Sequence, residues 1–382
     1  MNAAEILERL VGFASVSGRP NSPIVDFVAE ILDAAGAHTT RIAGPGAGMC
    51  NLFASFGPRE LPGHILSGHL DVVPAEEPEW TGDPFVLRRD GDRLVGRGAV
   101  DMKGFVASVL AAAPRIAALA VRRPIHVALS CDEELGCRGV PFLIARLPEL
   151  CAAPEGAVIG EPSNLRPVLA HKGKLALRVN VTGRTGHSSR TDLGENAIHV
   201  AADIVVATRR LAEALTVSPP LDPRFAPPFS TIQVGTINGG TAVNVIPDRC
   251  TLVLEARAIP ASEPERVVAP ILAEIDRIQA EMEAAQRDVR LTTEIVSSYP
   301  PLSLAKTATL AGLVGMACGQ SPIEAVSYGT EAGLFQAAGI DSIICGPGDI
   351  GRAHRHDEYI TMDELEACDG FIERFAAAAQ RD

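Results

Sequence analysis

"HILSGHLDVVP", residues 64–74, decides the reading of this chain. Its first half is an apolar run of the length of a buried strand, and it delivers His69 and Asp71 where that strand stops. Three further runs behave alike. "IHVALSCDEE" (125–134) ends on Asp132, Glu133 and Glu134, "GAVIGEPS" (156–163) carries Glu161, and "DSIICGPGDIGRAHRHDE" (341–358) leads to His354. Asp101, in "GRGAVDMKG" (96–104), ends a shorter run before a helical stretch. In open α/β sheets ligands bind outside the carboxyl ends of the strands, so these groups are expected to converge. Any one acid after a strand reads most simply as a helix cap or a solvated turn. Five such placements together predict a metal centre, and imidazole with carboxylate but no thiolate suits Zn²⁺, Co²⁺ or Mn²⁺.

Two local patterns sharpen this expectation. Residues i and i+2 of a strand project to one side, so the Asp71 carboxylate is expected to reach the outer ring nitrogen of His69 while the inner nitrogen binds metal. A turn-capping role for Asp71 has the same spacing. Glu133 and Glu134 are adjacent and would diverge in a regular strand. At a strand terminus one can ligate metal while the other takes a proton from water, which is the apparatus of metal-assisted amide hydrolysis.

Outward from these strands the chain alternates strand-like and helical patterns, as a parallel or mixed sheet with helices on its faces requires. In "NSPIVDFVAEILDAAG" (21–36) Ser22 is placed to cap, Pro23 fits the first turn and Gly36 ends the helix. From residue 172 to 294 the pattern changes to a β-α-β-β-α-β unit able to fold on its own core. Its strands are "KLALRVNVTG", "STIQVGTINGG", "RCTLVLEARA" and "VRLTTEIV". Its second helix follows "SEPE", where Ser262 and Glu265 have capping-box spacing. The predicted organisation is a discontinuous outer domain, residues 1–171 and 295–382, with residues 172–294 inserted.

Composition bounds the rest. At 382 residues the chain exceeds the usual size of one core. A net charge of −13 argues against nucleic-acid or anionic-membrane partners. No apolar stretch reads as long enough to cross a bilayer, and "MNAAEILERL" lacks the pattern of a secretory signal, so a cytoplasmic location is expected. Eight cysteines without a CxxC pair read as buried free thiols.

"SGHLDVVP", "GRGAVDMKG", "CDEELG", "GEPS", "HKGK", "TGHSS", "GGTAVNVIPD" and "AHRHDE" occur in that order along nearly the whole chain. Through them the sequence resembles the two-metal aminoacylase and carboxypeptidase superfamily. The resemblance implies an α/β, mixed-sheet, zinc-exopeptidase-like catalytic domain carrying an inserted α+β ferredoxin-like lid or dimerisation domain. It implies two divalent ions, Zn²⁺ with Co²⁺ able to substitute. Asp101 would bridge them, His69 and Glu161 would complete one site, and Glu134 and His354 the other. Glu133 would be the general base and Asp71 the support for His69. The peptide bond after the bridging aspartate is usually cis in the family. His354 is preferred to His356 because the family histidine commonly precedes a glutamate by four residues, here Glu358.

In the inserted domain, His187 matches a residue that helps stabilise the oxyanion, while Asn244 and Arg257 match residues that bind the substrate's carboxylate end. Arg257 has the alternative of being a surface strand residue. Many relatives dimerise through this domain, and His187 then acts in the neighbouring subunit's site. "SYGTEAGLFQAAG" (327–339) and "CGPGDIGRAHRHDEYI" (345–360) are similar to the acetylornithine deacetylase branch. This implies a small N-acylamino-acid substrate, with Glu331 near its cationic side chain or, equally, capping a helix. "EARAIP" and the Arg190 of "GHSSRTDLGEN" depart from that branch and leave room for another acyl amino acid, a succinylated substrate or a peptide.

Overall fold

The computed structural model describes residues 1–120 and 122–380, and the chain forms two compact units. The first contains Met1–Ala170, Leu302–Ala325 and the chain from Thr330 onward; the second contains His171–Pro301 and Val326–Gly329. The first unit opens with helices α1 (Ala3–Val11) and α2 (Ser22–Ala34) and strands β1 (His38–Ala43), β2 (Cys50–Phe56) and β3 (His64–His69). Helix α3 (Gly104–Leu119) and strands β4 (Ile125–Ser130) and β5 (Gly156–Pro162) follow. Helix α2 starts at Ser22 itself, one residue earlier than a Ser22 cap would give. Asn21 is the cap residue, and its side chain instead bridges to the backbone N–H and carbonyl of Cys50, tying α2 to β2.

The second unit is built from β6 (Gly173–Thr182), α4 (Ala197–Leu215), β7 (Thr231–Gly239), β8 (Arg249–Ala258), α5 (Pro264–Ala284) and β9 (Arg290–Tyr299). Its sheet is antiparallel throughout, in the order β7-β8-β6-β9, which is the ferredoxin-like arrangement expected from the β-α-β-β-α-β pattern. Alternation sets its core. Leu175, Leu177, Val179 and Val181 of β6 and Leu252, Leu254 and Ala256 of β8 point to one face. There they meet Val200 and Ile204 of α4 and Val268, Ile271 and Ile275 of α5. The Asn196 side chain caps α4 by accepting from the amides of Ile198 and His199. The capping box expected at α5 does not form: Glu263 is the cap residue, and Glu265 accepts from Ser298 of β9 instead. Strand β9 outruns its expected end because a bulge between Ile295 and Ser297 absorbs the break in alternation, and pairing continues to Tyr299 opposite Lys174.

The chain then returns to the first unit with α6 (Thr309–Cys318), α7 (Ala332–Ala337), β10 (Ser342–Gly346) and α8 (Met362–Ala378). The large sheet has the order β1-β2-β4-β3-β5-β10. Strands β4, β3, β5 and β10 run parallel, and β1 and β2 form an antiparallel edge. The central strands are buried along their whole length, which is why they read as continuous apolar runs rather than alternating ones. The segment Ala99–Leu119 is long and apolar enough to cross a bilayer by length and composition, contrary to the expectation above. Here it is core: α3 packs against β3, β5, α1 and α8, with Phe105, Val109 and Ile116 buried.

Candidate metal and catalytic site

The parallel strands bring His69, Glu133, Glu134 and Glu161 together at their carboxyl ends. His69 is the last residue of β3, Glu161 lies at the end of β5, and Glu133 and Glu134 follow β4. Asp101 enters from the turn before α3. Gly98 takes a left-handed φ of 80° there, which a residue with a Cβ rarely adopts, and the Asp101–Met102 peptide bond is cis. His354 follows β10.

The contacts are short. His69 Nε2 lies 3.0 Å from Asp101 Oδ1 and 3.6 Å from Glu161 Oε1. His354 Nε2 lies 3.0 Å from Glu134 Oε1 and 3.3 Å from Asp101 Oδ2. Asp101 therefore faces one histidine with each oxygen. His69, Glu133 and Glu161 offer ligand atoms within 4.8 Å of one another, and so do His69, Asp101 and Glu134. Tetrahedral ligands ~2.0 Å from a Zn²⁺ ion stand roughly 3.3 Å apart, so these separations suit a shared cation.

The chemistry of the donor set fits it too. Burial pushes Glu133 up to about 8, with Glu134, Asp71 and Glu331 adding to the shift. Burial and Asp101 raise Glu161 well above the usual carboxylate range, and burial and Asp101 raise Glu134. Burial opposes ionisation of Asp101 as well, but the hydrogen bonds of His354 and His69 outweigh it and hold that carboxyl well below the usual range. Acids crowded against acids, with two imidazoles among them, are relieved by divalent cations.

The orientation of His69 is fixed, though not as the sequence suggested. Its Nδ1 donates to the backbone carbonyl of Asp71 at 2.8 Å, while the nearer Asp71 carboxylate oxygen stands 3.7 Å away. A carbonyl only accepts, so Nδ1 carries the hydrogen and Nε2 is the nitrogen presented to the cluster. The Asp71 carboxylate is engaged elsewhere. It accepts from the amides of Glu133 and Glu134, at 3.1 and 3.2 Å, and from Ser17 Oγ at 2.7 Å. Asp71 thus pins the backbone of the two glutamates.

Other expected residues separate. Glu331 is 1% exposed, and its two oxygens accept from Ser67 of β3 at 2.6 Å and Ser130 of β4 at 2.8 Å. It occupies the N-cap position of α7, where its backbone carbonyl accepts from Leu334 and Phe335, but its side chain makes no capping bond and instead ties β3 to β4. His356 is an exposed loop residue. In the second unit, His187 and Asn244 meet: His187 pairs with Val245, and the Ser188 amide donates to the Asn244 carbonyl. Beside them is a cavity of about 520 Å³ lined by Ser188, Thr191, Asn196 and the 239–247 loop. His187 Nδ1 is engaged by Ser189, whose amide donates to it at 3.2 Å and whose Oγ lies 2.8 Å away, so Nε2 is the ring nitrogen that Ser189 does not hold. Arg257 sits at the opposite end of β8, where its guanidinium bonds Glu255 and the Tyr299 hydroxyl. Eight residues of strand, roughly 26 Å at ~3.3 Å each, separate it from Arg249, which follows the Val245–Ile246 segment paired with Gly186 and His187.

Sequence reasoning missed the supports of this site. Glu358 is buried and accepts four bonds, from Arg97 Nη1 (2.9 Å) and from the amides of Gly98, Val100 and Asp101 (3.0, 3.0 and 3.1 Å). The only signal was its spacing from His354.

Residues 65–378 match the pattern of peptidase family M20/M25/M40. The chain belongs to that family. Its members hydrolyse amide bonds, and this chain is such a hydrolase. It is 37% identical over 381 residues to an acetylornithine deacetylase of Myxococcus xanthus, covering 97% of this chain and 96% of that one. It is 31% identical to one of Proteus mirabilis, over 95% and 92% of the two chains. Among solved structures, an M20 family metallo-carboxypeptidase of Sulfolobus solfataricus superposes with a TM-score of 0.79 at 17% identity, covering 100% and 99%. A tripeptidase of Staphylococcus aureus gives 0.77 at 20%, covering 100% and 98%. These two establish the M20 fold of the chain.

Proposed function

We propose that this M20 hydrolase deacetylates N²-acetyl-L-ornithine to L-ornithine and acetate, a step of arginine biosynthesis, using two divalent metal ions. The observation that carries the reading is the convergence of His69, Asp101, Glu134, Glu161 and His354 around two halves of one carboxylate, with Glu133 beside them. Asp101 would bridge two Zn²⁺ ions, for which Co²⁺ can substitute, with His69 and Glu161 on one side and Glu134 and His354 on the other. Such ions, when bound, supply Lewis acidity that polarises an amide carbonyl and acidifies water. Glu133 takes the proton of the attacking water and delivers it to the departing nitrogen as the C–N bond breaks. Asp71 and His69 hold their neighbours in place.

His187 Nε2–H would donate to the oxyanion, with Asn244 and Arg257 binding the substrate's carboxylate end. The length of strand between His187 and Arg257 exceeds a small acyl amino acid, so the two serve one substrate only if they come from different subunits. This supports a homodimer formed through the second unit. A cytoplasmic location agrees with eight cysteines that are all free.

The identity of the curated relatives favours the ornithine substrate over succinyl-diaminopimelate or peptides. The test is amine release from N²-acetyl-ornithine, N-acetyl-methionine, N-succinyl-diaminopimelate and a dipeptide, by protein reconstituted with Zn²⁺ or Co²⁺. Preference for acetyl-ornithine, lost in Glu133→Ala, supports the reading. Metal-dependent turnover of another member of the panel discards the ornithine assignment.

A further inference from the structure

The turn that carries Glu133 also folds Cys137 back over it. The amides of Gly136 and Cys137 donate to the Glu133 carbonyl at 2.8 and 2.7 Å, and the Arg138 amide donates to the Asp132 carbonyl. Within this turn Cys137 takes a left-handed φ of 57°, uncommon for a residue with a Cβ. That conformation brings a buried thiol to 3.2 Å from Glu133 Oε1. The thiol donates and Oε1 accepts. The glutamate is thereby held at both ends, its amide by Asp71 Oδ1 and its carboxylate by Cys137.

We propose that Cys137 is a positioning residue: its thiol tethers Oε1 of Glu133 and keeps Oε2 available to the proton of the attacking water. The inference rests on Glu133 being the proton carrier. A glutamate side chain has three rotatable bonds, and a carboxylate that swings by an ångström loses much of its efficiency as a base. A thiol suits this role in a buried turn because it fills apolar space while donating weakly, so Glu133 is oriented without losing its basicity.

Two arms test this. In kinetics on whichever acyl amino acid the wild type turns over, Cys137→Ala is expected to lower kcat about tenfold with KM changed less than about twofold. Cys137→Ser, which restores a donor, is expected to stay within about threefold of wild-type kcat, with metal content unchanged in both. The second arm needs no turnover. The S–H stretching band of Cys137, identified as the infrared band that Cys137→Ser removes, is expected to shift to higher wavenumber in Glu133→Ala, where its acceptor is gone. An unmoved band overturns the contact. Wild-type kcat in Cys137→Ala, or a Cys137→Ser variant as slow as Cys137→Ala, overturns the role. A wild type that releases no amine sinks the functional reading itself, and the infrared arm reads the contact independently of it.

Discussion

Replacing Glu358 with glutamine removes one hydrogen-bond acceptor and tests whether the Asp101 turn is held from behind. Arg97 and Glu358 are each 1% exposed, and their ion pair spans 2.9 Å. Glu358 Oε1 accepts from Val100 and Asp101, and Oε2 from Gly98 and Arg97. In Glu358→Gln one oxygen becomes an NH₂ group, so two of four bonds are lost and a donor is pressed against other donors. Arg97 loses its buried charged partner and keeps Glu77, at 3.0 Å on the rim, two backbone carbonyls and the face of Trp80. Breaking one side of a buried ion pair costs about 3–5 kcal/mol; the lower end applies because the amide oxygen still accepts. A unit of this size loses roughly 2–4 °C of Tm per kcal/mol, so a fall of about 6–12 °C is expected by calorimetry. With the Asp101 backbone no longer anchored, kcat should fall by at least about tenfold, since a misplaced ligand misplaces the reacting groups. Tm within about 2 °C of wild type and kcat within about twofold would refute the idea that this buried pair frames the site.

Three further outcomes follow from the same geometry. Burial and the neighbouring His64 push His126 down to about 4, so its ring is neutral in the fold; the unfolded chain binds the extra proton below about 6.5. Stability should therefore fall as pH drops from about 6.5 to about 4, and His126→Leu should flatten that slope in denaturant titrations. A slope unchanged in the variant would assign it to other groups. Ser17→Ala removes the 2.7 Å bond to Asp71 Oδ2 and is expected to cost about 1 kcal/mol by urea denaturation, with a few-fold loss of kcat at unchanged metal content. Finally, co-expressed Glu133→Ala and His187→Ala chains should recover about a quarter of wild-type activity, because half of random dimers carry one intact composite site. Activity no higher than either variant alone would place His187 in its own subunit's site.

The outer sheet was legible because burial on both faces forces an apolar run on each parallel strand, and because the chemistry in such sheets sits where those runs stop. His69, Glu133, Glu134 and Glu161 therefore announced themselves at strand ends. The inserted unit was legible for the opposite reason. One covered face imposes strict alternation, as along Leu175, Leu177, Val179 and Val181, and the helices between such strands leave few other topologies. Boundaries were harder. Strand β9 continues past its bulge to Tyr299, and the Ser262–Glu265 spacing of a capping box is present without the box, because Glu265 finds Ser298 across the sheet.

What escaped the sequence is the layer behind the ligands, and the reason is sequence distance. Glu358 serves Asp101 from 257 residues away, and Glu331 joins Ser67 and Ser130 across 264 and 201 residues. No local period or cap signal encodes such pairings. Asp71 shows the same limit at short range. Spacing put its carboxylate within reach of His69, yet once β4 is laid beside β3 the amides of Glu133 and Glu134 lie within reach, and two amides with the Ser17 hydroxyl outcompete one ring nitrogen that a carbonyl already satisfies. A carboxylate with four lone-pair sites goes where most donors converge. The ligands are thus specified by the strands that carry them, whereas their geometry is specified by groups whose only common feature is an unsatisfied donor or acceptor at the same buried place.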